Sequence, residues 1–345
     1  MRVMVVRPGP LFSVADVHNG LVKGLRANGC EVIDFKYDDL VELFCRVVIE
    51  KEGGRYQPAF SRNGAFEMAA EHIQGALFRV WPDVLILTSG FWVPPLFLQI
   101  MKARPQHVVA WFTESPYEDD MQANMAPAID TVILNDPTNL DHFRSINPRS
   151  FYFPHSYDPD THWPGNGDRT VDVAFVGTGF QSRIDFLEQV DWSGIDLKLA
   201  GSWRELDAGS PLVPRLIHGR EACILNGDTA DLYRRSKASF NLYRKETSEN
   251  GSADGWAMGP REVELAATQT WFAREPRPEG DSLFPMLPTF TEPAELEQQL
   301  RWALAHEAQA QQAAAKACEA IVDRTFVNST ARLLSLIDSQ PKILA

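Results

Sequence analysis

Cysteine is scarce. The 345 residues hold four, Cys30, Cys45, Cys223 and Cys318, and no two of them form a CxxC pair. That spacing excludes a zinc knuckle and a disulfide-stapled fold and fits a reducing compartment. No apolar run reaches the length of a membrane span. The N-terminal run Val3-Met4-Val5-Val6 closes at Pro8-Gly9-Pro10, too short for the apolar core of a signal peptide. A soluble cytoplasmic protein is expected. Positive charge is also in deficit: 33 Lys and Arg against 46 Asp and Glu give a formal net charge of −13, which disfavours broad, non-specific binding to nucleic acid. Arg234-Arg235-Ser236-Lys237 and Arg244-Lys245 are candidates for a local basic groove, with solvated surface as the plainer reading. Grouped metal ligands are missing too. Glu118-Asp119-Asp120 reads as the acidic first turn of a helix, and Asp158, Asp160 and His162 lie among turn residues, so no metal is expected.

What remains is an ordinary globular composition, 44% hydrophobic with nine Trp and twenty Phe, in a chain long enough for two domains. Val3 to Val6 reads as a buried parallel strand. Val14, Val17, Leu21 and Leu25 then repeat at helical spacing until Gly29. Further strands are expected at 31–35, 84–87, 108–112, 131–134 and 151–153, alternating with helices near 65–79, 94–103, 120–128 and 138–145. A second series starts at Val171 and passes Gly177-Thr178-Gly179 into a helix near 182–190. Its next strands are expected at 197–200, 223–225, 238–242 and 270–273. The tail from Pro293 is helical and alanine-rich, broken near 323–328. Such alternation predicts an α/β protein of two Rossmann-like, doubly wound domains facing a central cleft. The boundaries read 1–155, a linker at 156–170, a second domain at 171–325, and a C-terminal helix at 326–345 that packs back on the first domain.

The most informative stretch is Gly259-Pro260-Arg261-Glu262-Val263-Glu264. Proline suits the first helical position, and a helix N-terminus attracts anions. Arg261 and Glu264, three apart, project to one side. A guanidinium there suits a diphosphate, and a carboxylate one turn on can accept two hydrogen bonds from a ribose diol. Salt bridging is the alternative for Arg261, and a solvent-facing helical position is the alternative for Glu264. Arg244 and Arg183 can balance phosphate charge or pair at the surface. Asn241 interrupts an apolar strand and must be hydrogen-bonded if buried. Gly177-Thr178-Gly179 allows close backbone approach to a ligand or forms only a tight turn. Trp203 borders a base or sugar, or packs at the domain edge.

The order Phe175-Val176-Gly177, Arg183, Leu199-Ala200-Gly201, Leu232-Tyr233-Arg234, Asn241-Leu242-Tyr243-Arg244, Arg261-x-x-Glu264 and Pro288-Thr289-Phe290 resembles the C-terminal half of CgeB-like glycosyltransferases of the GT-B group. The likeness is good over 171–335. Over 1–155 it rests on strand order and on Phe12-Ser13-x-x-Asp16 with Gly20. The resemblance implies a nucleotide diphosphate sugar as donor, with UDP the expected nucleotide, held by the second domain with Glu264 on the ribose. It implies a hydroxyl acceptor, a small molecule, a glycan or modified DNA, held by the first. Where GT-B relatives carry a Glu eight positions before the ribose residue, this chain has Trp256. The donor sugar is then expected to meet the backbone N–H groups of Ala257, Met258 and Gly259. Gln269 stands where a glycine usually follows the helix. The wording Gly255-Trp256-Ala257-Met258-Gly259-Pro260-Arg261 looks similar to bacteriophage proteins, which implies glucosylation of a hydroxymethylated pyrimidine in DNA.

For proton transfer, Asp16 is the first candidate, with a first-turn helix role as its alternative. Glu114, past a strand end, and His155, before the linker, are the others. A retaining reaction needs no protein base, since the leaving diphosphate can take the proton. Two rivals share the fold: a nucleotide-sugar epimerase and a non-catalytic nucleotide-sugar-binding protein.

Overall fold

The computed structural model describes residues 1–8, 12–51, 53–89, 93–94, 97, 106–249 and 251–338, without the side chains of 12 and 13. The chain forms two compact units, Met1–Phe153 with Phe326–Ala345, and Pro154–Thr325.

Unit 1 is built on a six-stranded parallel sheet in the order β2-β1-β5-β6-β7-β8. The strands are β1 (Arg2–Val6), β2 (Glu31–Phe35), β5 (Val84–Thr88), β6 (His107–Phe112), β7 (Thr131–Leu134) and β8 (Ser150–Tyr152). Helices α1 (Phe12–Ala27), α2 (Tyr37–Arg46), α3 (Arg62–Val80), α4 (Asp119–Met125) and α5 (Leu140–Ile146) connect them. Val3–Val6 of β1 and Val84–Leu87 of β5 are apolar throughout because both faces of the sheet are covered. Gly29 takes the left-handed conformation, φ 79°, and ends α1 as a glycine should. An antiparallel hairpin, β3 (Val48–Lys51) with β4 (Arg55–Pro58), has no counterpart in the strand pattern read from sequence. Its strand residues are largely exposed, so they lack the apolar run that marks the buried strands. The helix expected at 94–103 falls outside the described residues apart from 94 and 97, as does the Pro8-Gly9-Pro10 turn beyond Pro8.

The last helix, here α12 (Phe326–Asp338), packs on α1 within unit 1. Glycines on α1 make the approach possible: a Cβ on Gly20 would lie 2.2 Å from the Phe326 ring, and one on Gly24 would lie 2.5 Å from the Phe326 carbonyl oxygen. Asn28 Nδ2 donates to Val327 O at 2.9 Å and fixes the register. Leu333 and Ile337 join Leu21 and Leu25 in the core there, each worth about 1.5–3 kcal/mol of burial.

Unit 2 carries a four-stranded parallel sheet, β10-β9-β11-β12. Its strands are β9 (Val171–Val176), β10 (Leu197–Ala200), β11 (Ser236–Asn241) and β12 (Trp271–Arg274). Its helices are α6 (Gln181–Leu187), α7 (Asn226–Arg234), α8 (Pro260–Ala267), α9 (Pro278–Leu283), α10 (Pro293–Ala305) and α11 (Glu307–Ala320). Residues 223–225 are not a strand; Cys223 and Leu225 are exposed and lead into α7. The segment read as a linker is part of this unit. Tyr157 sits in its core and bridges to Thr325, and the Arg169 Nη2 donates to Gln269 O at 2.7 Å. His155 therefore belongs to unit 2.

Candidate functional site

Helix α8 starts with Gly259 as N-cap and Pro260 at N1. Its expected anion-binding end is closed from within, which corrects the role given to Met258 and Gly259. Gly259 N–H donates to Glu262 Oε2 at 2.7 Å and Met258 N–H to Glu279 Oε2 at 2.9 Å, while Pro260 has no N–H to offer. Two of the three amides expected to meet a donor sugar, those of Met258 and Gly259, already face carboxylates of their own unit. Glu262 is fully buried and also accepts from Asn241 Nδ2 at 3.1 Å and from the Tyr243 hydroxyl. Burial pushes its carboxyl up to about 7, against the hydrogen bonds from Tyr243 and Gly259 that favour the ionised form.

Asn241, the polar break in β11, bridges two side chains: its Nδ2 serves Glu262 and its Oδ1 accepts from Arg261 Nη1. Arg261 also donates from Nε to Val176 O at 2.6 Å and stacks over the Phe175 ring, 4.5 Å from guanidinium carbon to centroid. Gly177 is a glycine because this guanidinium lies on it; a Cβ there would stand 2.3 Å from Arg261 Nη2. One face of α8 is thus bolted to the loop after β9.

The loop itself is not an open cradle at its glycines. Gly177 N–H donates to Ala200 O at 2.9 Å and Gly179 N–H to Ser202 O at 2.7 Å. Thr178 between them is exposed. Trp203 is fully buried beneath Gly179, where a Cβ would lie 2.3 Å from its ring, and its Nε1 donates to Ala200 O at 3.1 Å. It therefore supports the loop from within, which agrees with the packed alternative and not with a place beside a base or sugar. Arg183 is also buried, and its donors face carbonyls: Nη2 to Leu242 O at 2.7 Å and Nη1 to Thr178 O at 2.9 Å. It clamps the loop to the end of β11, which replaces the phosphate contact expected of it. Arg244, half-buried, lies over Phe180 at 5.9 Å.

Glu264 projects one turn into α8 with a side chain 19% exposed, and its Oε1 stands 3.9 Å from Nε2 of the buried His162. The hydroxyl of buried Tyr233 lies in the fields of both Arg261 and Glu264, and burial raises its pKa. Arg261, Glu264, Tyr233 and His162 are therefore one group of neighbours. The run Arg234 to Lys237 does not form a basic groove. Arg234 donates to Thr161 O at 2.9 Å, Ser236 is buried, and Lys237 pairs with Asp172 at 3.2 Å and Glu307 at 3.1 Å.

The remaining candidates are spread over both units. In unit 1, Asp16 is a half-buried residue of α1, and burial pushes its carboxyl up to about 6. Glu114 follows β6, its carbonyl accepting from Tyr117 N at 2.8 Å and Glu118 N at 3.1 Å. In unit 2, burial and then the charges of Arg324 and Arg277 push His155 down to about 3. It stays neutral at neutral pH and is a weak proton acceptor there. Among the described residues no group of three or more His, Cys, Asp or Glu can hold a metal ion, and no helix is long and apolar enough to cross a membrane.

Glu262 and Glu279 are the residues of this site to which sequence reasoning gave no role, and His162 was weighed there only as a metal ligand. For Glu262 a signal existed, since Gly259-Pro260-Arg261-Glu262 is a capping-box spacing. His162 had none beyond its apolar neighbour Trp163.

Each unit is a parallel sheet clothed by helices, and the chain shares its fold with GT-B glycosyltransferases. Residues 183–335, the greater part of unit 2 with most of α12, match the family described as "Glycosyl transferase-like". No curated protein matches the chain in sequence. Solved structures do. Sucrose-phosphate synthase from Thermosynechococcus elongatus superposes with a TM-score of 0.64 at 10% identity, over 98% of each chain. Anabaena HepE in complex with UDP-glucose gives 0.61 at 13% identity, over 99% of this chain and all of that one (100%). The DNA-modifying enzyme beta-glucosyltransferase gives 0.57 at 14%, over 98% of this chain and 100% of its own.

Proposed function

We propose that the chain transfers a sugar from a UDP-linked donor to a hydroxyl acceptor. The observation that carries this is the Arg261–Glu264 pair on α8, locked over the Gly177 loop and met by Tyr233 and His162 inside a glycosyl transferase-like domain. Glu264 takes the ribose diol. Because the α8 and loop amides named above are occupied, the diphosphate charge falls to side chains, Arg261 Nη2 and Arg244, with exposed Thr178 beside them. Unit 1 carries the acceptor, and Asp16, pushed up to about 6, is its proton acceptor, a value suited to a base working near neutral pH.

In the transfer, the bond between the anomeric carbon and the diphosphate oxygen breaks and UDP leaves with the bonding pair. The anomeric carbon bonds to the acceptor oxygen, whose proton passes to Asp16. The acceptor proposed is a hydroxymethylated pyrimidine in DNA. Two likenesses support it, that of 255–261 to bacteriophage proteins and that of the fold to a DNA-modifying glucosyltransferase.

The test is UDP release from UDP-glucose with hydroxymethylated DNA, with unmodified DNA, and with no acceptor. Release only with the modified duplex, lost in Asp16→Asn, supports the whole reading. Interconversion of the donor sugar without any acceptor would instead establish an epimerase. Binding without turnover with any acceptor would establish a sensor.

A further inference from the structure

His162 belongs to a segment latched onto α7. Its backbone N–H donates to Asp158 O at 2.8 Å, and the Asp158 carboxylate accepts from Thr161 Oγ1 at 2.9 Å and from Asp160 N at 3.1 Å. On the far side, Arg234 holds Thr161 O and stacks over Trp163 at 4.4 Å. The turn therefore delivers one imidazole into the unit at a fixed place. That imidazole is 1% exposed, and neither ring nitrogen has a partner in hydrogen-bonding geometry. The Asn226 amide lies alongside, and the charged groups around it are Asp158, Arg234 and Glu264. A buried ring whose polar neighbours, the Asn226 amide and Glu264, both stand short of full hydrogen-bond geometry needs an explanation. Glu264 supplies one, because its Oε1 stands 3.9 Å from Nε2. Rotation about the Glu264 χ angles closes that gap.

We propose that His162 is the positioning residue for Glu264: its Nε2–H donates to one carboxylate oxygen and turns the other toward the ribose diol of the donor. The inference rests on the donor reading above. Burial holds the ring down to about 4, with Arg234 opposing protonation and Asp158 favouring it, so the ring is a neutral donor at working pH and adds no charge. It is too deep to touch ligand itself and acts only through Glu264.

The experiment measures Kd for UDP and for 2′,3′-dideoxy-UDP with wild type, His162→Phe and His162→Gln. His162→Phe is expected to weaken UDP about tenfold or more, the worth of a hydrogen bond to a charged group, and to leave the dideoxy nucleotide unchanged. His162→Gln, which restores an N–H at the same reach, is expected to recover most of the loss. Equal UDP affinity in all three proteins overturns the inference, and so does an equal loss for both nucleotides, which marks a merely structural ring. If His162→Phe does not fold, His162→Leu takes its place: weaker UDP binding alongside an unchanged dideoxy affinity supports the inference, and equal UDP affinity or a parallel loss on both nucleotides overturns it. Failure of wild type to bind UDP at all sinks the donor reading instead.

Discussion

Glu262 holds the candidate site together from below, and its replacement separates capping from charge. Its Oε2 accepts from Gly259 N–H, Asn241 Nδ2 and the Tyr243 hydroxyl in a place with no solvent. Glu262→Ala strands three buried donors at about 1–3 kcal/mol each, with overlapping contributions. A net loss of about 2–5 kcal/mol is expected, read as a fall of about 2–4 °C in melting temperature per kcal/mol for a unit of this size. Glu262→Gln keeps an acceptor in place and removes the titration. Because the folded carboxyl lies at about 7, above its ordinary 4.5, the native protein keeps a proton between those values that the unfolded chain has lost. Wild-type stability therefore falls relative to the Gln variant as pH rises from about 4.5 through 7, and is flat beyond. At about 1.4 kcal/mol per pH unit, the change is roughly 3 kcal/mol. The assay is thermal or urea unfolding of both proteins from pH 5 to pH 8. A constant gap between them across that range would refute a proton held on Glu262.

Three glycine substitutions give sharper contrasts. Gly177→Ala puts a Cβ 2.3 Å from the movable end of Arg261, whereas Gly179→Ala puts one 2.3 Å from the buried Trp203 ring. The first is expected to fold and lose donor affinity, the second to lose about 1–3 kcal/mol of stability by overpacking; nucleotide titration and melting of both variants separate these outcomes. Gly24→Ala faces the Phe326 carbonyl oxygen, which cannot give as a side chain can. It is expected to lift α12 from α1, seen as faster proteolysis near residue 325, and an unchanged cleavage rate would contradict the packing argument. The wild-type rate is expected to fall on the acidic side of about 6, where Asp16 takes up a proton and can no longer act as base, while a rate that stays constant from pH 5 to pH 8 would assign the proton transfer to another group.

Much of the fold was legible because parallel strands buried on both faces spell continuous apolar runs, as at Val3–Val6 and Val84–Leu87. The start of α8 was equally plain from Gly259-Pro260. The hairpin at 48–58 was not, since exposed edge residues carry no such pattern. The site was half legible. Arg261 and Glu264 stand out by spacing, but the occupants of the α8 amides, Glu262 and Glu279, act through tertiary contacts with Asn241, Tyr243 and Arg324 that no local pattern encodes. The same limit left Arg183 and Trp203 each open between two readings, since their partners are a strand end and a loop. Asp158, Asp160 and His162 drew notice only as metal ligands. The fold turns the Asp158 carboxylate onto its own turn and the imidazole toward Glu264.

The central claim is that Glu264 grips the donor ribose, and nucleotide binding by Glu264→Ala tests it most directly. Wild type should show a melting temperature raised by UDP-glucose. The variant should keep its ligand-free melting temperature, because its side chain is partly exposed on the helix, and should lose that rise. A variant that still responds to UDP-glucose like wild type, or one that unfolds without any ligand, would contradict the account.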